Sequence, residues 1–151
     1  MQIEFLTNKE RAQIGQKVDA TSAIVISATS NSDKHIPFGS LVVYDETDPF
    51  LCKMPSTKAH LEKPLGITLR QLHCHDYAPK NPMAVMRQGR VWIDAEKAEF
   101  VGDAVYVKFL DNGNAIFTST KTGNTLLKGA IFLEKSDGGK TPIEVNFLGG
   151  I

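Results

Sequence analysis

The sequence predicts an all-β fold, a small barrel or sandwich of short antiparallel strands with an N-terminal arm, and three observations carry that reading. Large apolar side chains alternate with polar ones through residues 65–70, 90–95 and 104–110, the period of a strand whose successive side chains point to opposite faces. Turn formers interrupt the chain at short intervals, at Asp45 to Pro49, at Asp111-Asn112-Gly113-Asn114, at Gly123-Asn124 and at Asp137-Gly138-Gly139-Lys140, as in chains of many short strands. The 151 residues, 42% hydrophobic and 8% aromatic, suffice for one ordinary core and no confident second domain.

Taken in order, residues 1–20 stand apart as an N-terminal arm or short helix, and residues 21–151 form a single β domain. The early stretch is polar with isolated apolar residues Phe5, Leu6 and Ile14. A helix capped near Thr7 or Asn8 and shortened by Gly15 is one form of it, and an extended arm anchored by those three residues is the other. Residues 23–28 are β-prone. Residues 36–44 are expected to form one strand with Pro37 at its start, where a missing amide donor harms no ladder. Phe50 to Pro55 is a short apolar stretch, and Ser56 to Lys63 is expected to make one or two helical turns before Pro64.

The strand at 65–70 places Leu65, Ile67 and Leu69 on one side. Residues 76–83, with Pro79 and Pro82, read as a loop. Beyond it the second half reads as hairpins: Ala84-Val85-Met86 leads to Gly89, residues 90–95 and 104–110 form two short strands around a turn, and Ala115-Ile116-Phe117-Thr118 returns from Asn112-Gly113. Asn-Gly is the strongest short hairpin signal because both residues tolerate left-handed dihedrals. Residues 130–134 and 143–148 supply the last strands, and Gly149-Gly150 reads as a flexible tail.

Charge and composition narrow the function. Seventeen basic residues balance seventeen acidic ones, which gives no long-range attraction to nucleic acid or anionic lipid and removes one brake on self-association. No apolar run approaches a membrane span, and Met1 to Leu6 lacks the pattern of a secretory signal. The two cysteines, Cys52 and Cys74, suit a reduced intracellular setting as free buried thiols.

Chemistry-bearing motifs are few. His73-Cys74-His75-Asp76 is the one cluster of metal-capable residues; in an extended strand His73 and His75 would share a face, with further ligands required from His35, His60 or Cys52. Cys74 is poorly placed for activation, because adjacent strand residues face oppositely. Gly139-Lys140-Thr141 lacks the spacing of a phosphate loop. Lys80, Arg87, Arg90 and Trp92 would make a small basic, aromatic face, but Asp76, Asp94, Glu96, Glu99 and Asp103 share the region. Trp92 is expected in a core or a subunit contact; exposed, it and Tyr106 would suit a sugar ring. No catalytic, cofactor-binding or metal-ligating residue is assigned, and no cofactor is expected.

Four segments carry a resemblance. Ile36-Pro37-Phe38-Gly39-Ser40-Leu41-Val42, Pro64-Leu65-Gly66-Ile67-Thr68, Gly89-Arg90-Val91-Trp92-Ile93 and Val101-Gly102-Asp103-Ala104-Val105-Tyr106-Val107 resemble, in order and spacing, the structural cement (capsid decoration) proteins of tailed bacteriophages, over residues 17–135. The resemblance implies a non-enzymatic β protein of the virion, made in the host cytoplasm. It would sit on the outer capsid surface, bind the major capsid protein and stabilise contacts between its subunits. It implies a homo-oligomer, dimer or trimer; the even charge balance and the lack of an apolar span argue against nucleic-acid and membrane partners. Ser56 to Lys63 and His73 to Pro82 depart from the pattern. The alternatives are another homo-oligomeric virion component (a head-completion, tail or receptor-binding module) and a small metal-binding β protein using His73 and His75.

Overall fold

The structure, a computed structural model, describes residues 12–19, 22–111 and 114–148. Eleven strands follow in chain order: β1 (Ile24–Ser30), β2 (Ile36–Pro37), β3 (Leu41–Tyr44), β4 (Leu51–Lys53), β5 (Pro64–Thr68), β6 (Asp76–Tyr77), β7 (Pro82–Lys97), β8 (Ala104–Phe109), β9 (Ala115–Thr118), β10 (Thr125–Phe132) and β11 (Gly139–Asn146). A 3-10 turn at Lys58–Glu62 sits between β4 and β5, in the stretch where the sequence predicts a helical turn. The all-β expectation is met, with a barrel rather than a sandwich.

The pairings close on themselves twice. β1, β4, β3, β5 and β7 form one ring, and β7, β11, β10, β8 and β9 form a second. Both rings share β7, whose 16 residues are long enough to serve each in turn. Its first half pairs with β1 and β5, and its second half with β11 and β9. The exchange falls at Gln88, which has Ile24 of β1 on one side and Asn146 of β11 on the other. A sheet closed on itself leaves no unpaired edge.

Several local expectations change as a result. Gly89 lies inside a continuous β7 instead of between two short strands, opposite Val145. β7 and β8 are consecutive but not partners; β8 lies between β10 and β9. Two pairings, β1 with β4 and β7 with β9, are parallel. The expected single strand at 36–44 breaks in two. Ile36 and Pro37 pair with Tyr77 and Asp76 in a separate two-stranded sheet, and Gly39, at φ +75°, turns the chain into β3. The loop expected at 76–83 thus contains one strand and begins another. The predicted β8–β9 hairpin is present, with Phe109 opposite Ala115; Asn112-Gly113 at its tip lies outside the described residues, as do the helix start at Thr7 or Asn8 and Gly149-Gly150.

Each ring has its own core. Ala28, Ile36, Phe38, Val42, Cys52, Leu65, Met83 and Val85 fill the first. Val91, Ile93, Val105, Val107, Leu127, Phe132, Ile143 and Val145 fill the second. Alternation along the shared walls feeds both, so Val42 and Val85 belong to the first cluster and their neighbours Leu41 and Met86 to the second. Leu65 does not share a side with Ile67 and Leu69 as its spacing predicts. The β3–β5 register shifts between Val42 and Val43, pairing them with Gly66 and Pro64. This bulge sends Leu65 into the first core while Ile67 and Leu69 enter the second.

Residues 12–19, which the sequence assigns to the arm, lie along β7. The Gly15 N–H donates to the Trp92 carbonyl at 2.8 Å, the Trp92 N–H to the Gln16 carbonyl at 2.9 Å, and the Val18 N–H to the Arg90 carbonyl at 3.0 Å. Lys17 stands opposite Val91 on the side of β7 away from Ile143. Ala12 is buried and Ile14 half-buried.

Candidate interaction surfaces

The most exposed large apolar side chains in the second half of the chain occupy one turn, and its local chemistry explains why. Phe100 is 67% and Val101 71% exposed. The Asp103 N–H donates to the Phe100 carbonyl at 3.3 Å, while the Phe100 N–H donates to the Asp103 carboxylate at 3.1 Å. Gly102 has φ +87°, the third-position requirement of a type II turn. The Gly102 N–H donates to the Phe132 carbonyl at 2.8 Å and the Phe132 N–H to the Asp103 carbonyl at 2.9 Å. The Gly-Asp pair thus fixes a turn that is stapled to β10 and holds two apolar side chains in water.

The patch continues onto the outer wall of the second ring. Val105 and Val107 of β8 and Leu127 of β10 point inward, which leaves Ala104, Tyr106, Leu126 and Ile131 on the other face. The register sets Tyr106 opposite Leu126 and Ala104 opposite Ile131, so these side chains are neighbours across the strands. Leu126 and Ile131 are both exposed. Several charges elsewhere are paired within the molecule. Arg90 contacts Glu144 at 2.9 Å and Asp19 at 3.3 Å, Lys108 contacts Glu96 at 2.6 Å, and Lys97 contacts Glu99 at 2.9 Å. Glu144 raises the Arg90 pKa, and the Lys108 ammonium lowers that of Glu96.

A second feature is a groove of about 690 Å³, within the size range of ligand sites. Ile14, Phe38 and Leu41 line one part of it and Val107, Leu110 and Ile116 another, with Arg70, Asp94 and Lys140 supplying polar groups. Arg70 stacks over the Phe38 ring at 5.8 Å. Lys140 Nζ donates to the Ala12 carbonyl at 3.0 Å, so the described chain begins in the wall of the groove.

The metal-capable cluster is not built as its spacing suggests. Residues 71–75 are turn and coil, and His73 has φ +66°, so His73 and His75 do not alternate along a strand. Asp76 is held by His35 at 2.9 Å, and His60 contacts Glu46 at 3.3 Å. Among the described residues no three His, Cys, Asp or Glu side chains converge as a metal site. Cys74 is exposed rather than buried; Cys52 is buried, and burial pushes its thiol up to about 11, far from a nucleophile's range.

The basic face also disperses. Lys80 approaches Asp33 at 3.7 Å, Arg90 is paired, and Arg87 is turned to the carbonyls of Leu65 and Phe147 at 3.1 and 3.2 Å. Trp92 is 2% exposed and so is a core residue, unable to stack on a sugar. Gly139-Lys140-Thr141 lies in β11 rather than in a turn. No helix among the described residues is long and apolar enough to cross a membrane. The sequence reading missed Phe100 and Val101; the signal was present in two apolar residues set directly before the Gly-Asp pair, where a turn must expose them.

Comparison with known proteins agrees with this architecture. A chain from the capsid of Myoviridae phage XM1 superposes with a TM-score of 0.70 at 16% identity, covering 89% of this chain and 90% of that one. No curated protein matches the sequence. The family model of the phage structural cement protein (E217 gp24/Pam3 gp6) matches residues 1–146, beyond the 17–135 over which the four segments carry the likeness. Those segments form β2 and the turn into β3, the bulged β5, the middle of the shared β7, and the stapled turn leading into β8. The chain therefore belongs to the phage structural cement protein family, a family of capsid-associated structural proteins.

Proposed function

We propose that the protein sits on the outer surface of a phage head and holds neighbouring major capsid subunits together. In this reading the stapled Phe100–Val101 turn and the outer β8–β10 wall are the contact, and the protein acts without catalysis. The observation that carries the assignment of this face is its combination of rigidity and exposed apolar surface. The Asp103 and Phe132 hydrogen bonds hold Phe100 and Val101 outward, so little ordering entropy is lost on binding. The dimer or trimer, and the absence of nucleic-acid and membrane partners, belong to the same proposal, as does an arm whose anchors before Ala12 are Phe5 and Leu6.

Burying an exposed Phe or Val side chain contributes about 1.5–3 kcal/mol. Phe100 and Val101 are 67% and 71% exposed, so the pair contributes at least about 2 kcal/mol. Replacing both with serine should therefore weaken binding to expanded heads lacking this protein by at least about thirtyfold, taking tenfold per 1.4 kcal/mol. Co-sedimentation of purified protein with such heads measures this. Undiminished binding by the folded double variant would overturn the assignment of the face. Binding to isolated tails instead of heads would favour a tail module over the head role.

A further inference from the structure

We propose that the turn carrying Pro49 and Phe50 is a second capsid contact, remote from Phe100 and Val101, and that the two turns engage two different subunits of the shell. The inference rests on the outer-surface reading and goes beyond it by making the protein two-ended. Phe50 is 79% exposed, in a turn built like the one at Phe100. In both, a nearby carboxylate accepts the phenylalanine N–H: Asp48 at 2.8 Å from Phe50 and Asp103 at 3.1 Å from Phe100. The Leu51 N–H donates to the Asp48 carbonyl at 3.2 Å, and the Phe50 carbonyl accepts from the Thr29 N–H of β1 at 3.2 Å. Asp45 secures the start of the turn, accepting from the Thr47 N–H at 2.9 Å and from Asn31 Nδ2 at 2.7 Å. A large apolar side chain is again fixed in water on backbone with little ordering entropy left to lose on binding.

The strand pairings set the two turns apart. Thr29 stands opposite both Leu51 and Pro82, so Phe50 lies two strands across from the first residue of β7. Phe100 comes just after the last residue of β7, Lys97. Between those ends β7 runs for 16 residues, a rise of up to about 50 Å. Turns so placed, one on each ring, cannot enter one pocket, and they suit two neighbouring copies of a shell subunit. The surroundings of Phe50 also specify the chemistry of the partner. Glu46 is paired with Lys53 at 2.8 Å, but the Asp45 and Asp48 carboxylates are held by neutral groups, Thr47, Asn31 and the Phe50 N–H, which leaves two negative charges beside the ring. A pocket with an apolar floor and a basic rim complements this turn. Two copies of the protein meeting turn to turn would bring like charges together, which favours a capsid subunit as the occupant.

Expanded heads lacking this protein test the two-ended contact. Phe50→Ser alters a side chain outside the core, and the fluorescence of Trp92 checks that each variant folds. Binding through two contacts gives up avidity when either is lost, so Phe50→Ser should weaken co-sedimentation with heads by at least about tenfold, while Phe50→Leu, still apolar, should retain most of the affinity. Heat disruption of the heads is then measured at protein concentrations that restore full occupancy. The parent should raise the disruption temperature, whereas Phe50→Ser, and Phe100→Ser combined with Val101→Ser, should leave heads as easily disrupted as undecorated ones. A Phe50→Ser variant that reinforces heads as fully as the parent, whatever its affinity, overturns the inference and leaves the outer-surface reading standing. A parent that sediments with heads without reinforcing them overturns that reading and the inference with it. A change in solution mass caused by Phe50→Ser, measured by light scattering, would assign the turn to a second copy and likewise overturn the inference.

Discussion

Adding one methyl group at Gly66 should destabilise the protein more than its size suggests. Gly66 lies opposite Val42 at the β3–β5 bulge, and the next residues of its strand pair with Met86 and Val85 of β7. A Cβ at this position would lie 2.3 Å from the Met86 carbonyl oxygen, 2.9 Å from its carbon and 2.6 Å from Val85 Cγ1. Carbon–oxygen contacts between strands normally stand at about 3.3–3.6 Å, so β5 and β7 must part by about 1 Å. The oxygen belongs to the backbone of the strand both rings share and cannot rotate aside. Overpacking costs about 1–3 kcal/mol, and this site belongs at the upper end. At about 2–4 °C per kcal/mol for a chain of this length, Gly66→Ala should melt about 6–12 °C lower. The natural control is Gly102→Ala, where φ is +87° and nothing lies within 4 Å, so only the dihedral penalty of about 1–2 kcal/mol applies. Urea unfolding followed by fluorescence of Trp92, the single tryptophan, reports on β7 directly. A Gly66→Ala midpoint equivalent to within about 0.5 kcal/mol of the parent, or a larger loss at Gly102, would refute the account of the shared strand.

Two further outcomes follow from the same geometry. The Tyr77 hydroxyl donates to the Leu69 carbonyl at 2.6 Å and accepts from the Ala84 N–H at 3.2 Å. Tyr77→Phe leaves both groups wanting a partner and should cost about 1–3 kcal/mol in urea unfolding, whereas a change below about 0.5 kcal/mol would show the bonds contribute nothing net. Acid should destabilise the fold in a defined window. The Asp45 carboxyl is lowered to about 2, chiefly by the Thr47 hydroxyl and then by Asn31, and Glu96 is lowered by Lys108. A depressed folded pKa contributes stability that is fully present above the unfolded value, about 3.9 for Asp, and is lost as pH falls toward about 2. Asp45→Asn should flatten the stability–pH curve between about pH 4 and 2; an unchanged slope there would contradict the assignment.

Most strand positions were legible because alternation is local: β8 and β9 stand, paired antiparallel, where the sequence places them. What alternation cannot carry is partnership. Nothing in Ala84 to Ala95 distinguishes two strands interrupted at Gly89 from one strand crossing between two rings, because the distinction lies in Ile24 and Asn146, both remote in sequence, meeting at Gln88. The bulge at Leu65 was hidden for a related reason: the strict period that places Leu65 with Ile67 assumes an uninterrupted ladder, and the register shift is imposed by β3. The candidate site was legible in its chemistry but not in its surface. The strand on which His73 and His75 would share a face as ligands is absent, because His73 takes a positive φ. The sequence gives Phe100 and Val101 no surface role, because an exposed apolar residue becomes informative only when its backbone is known to be fixed.

The closed double ring bears on how such a protein can associate. Edge strands are the usual route by which β proteins add partners, since unpaired backbone groups template further pairing. Here both halves of β7 have partners on each side, and the remaining strands return to it around two rings, so backbone addition to the main sheet would first require opening a ring. Association is left to side chains. Pairing of the charges around Arg90, Lys97 and Lys108 within the molecule weakens them as long-range attractors. In the proposed contact, exposed apolar side chains on rigid backbone would supply the free energy, and the Gly102–Asp103 turn gives Phe100 and Val101 both the rigidity and the exposure. There the Gly-Asp pair would do more than form a turn: it holds in water a surface that would gain its favourable contacts only when covered.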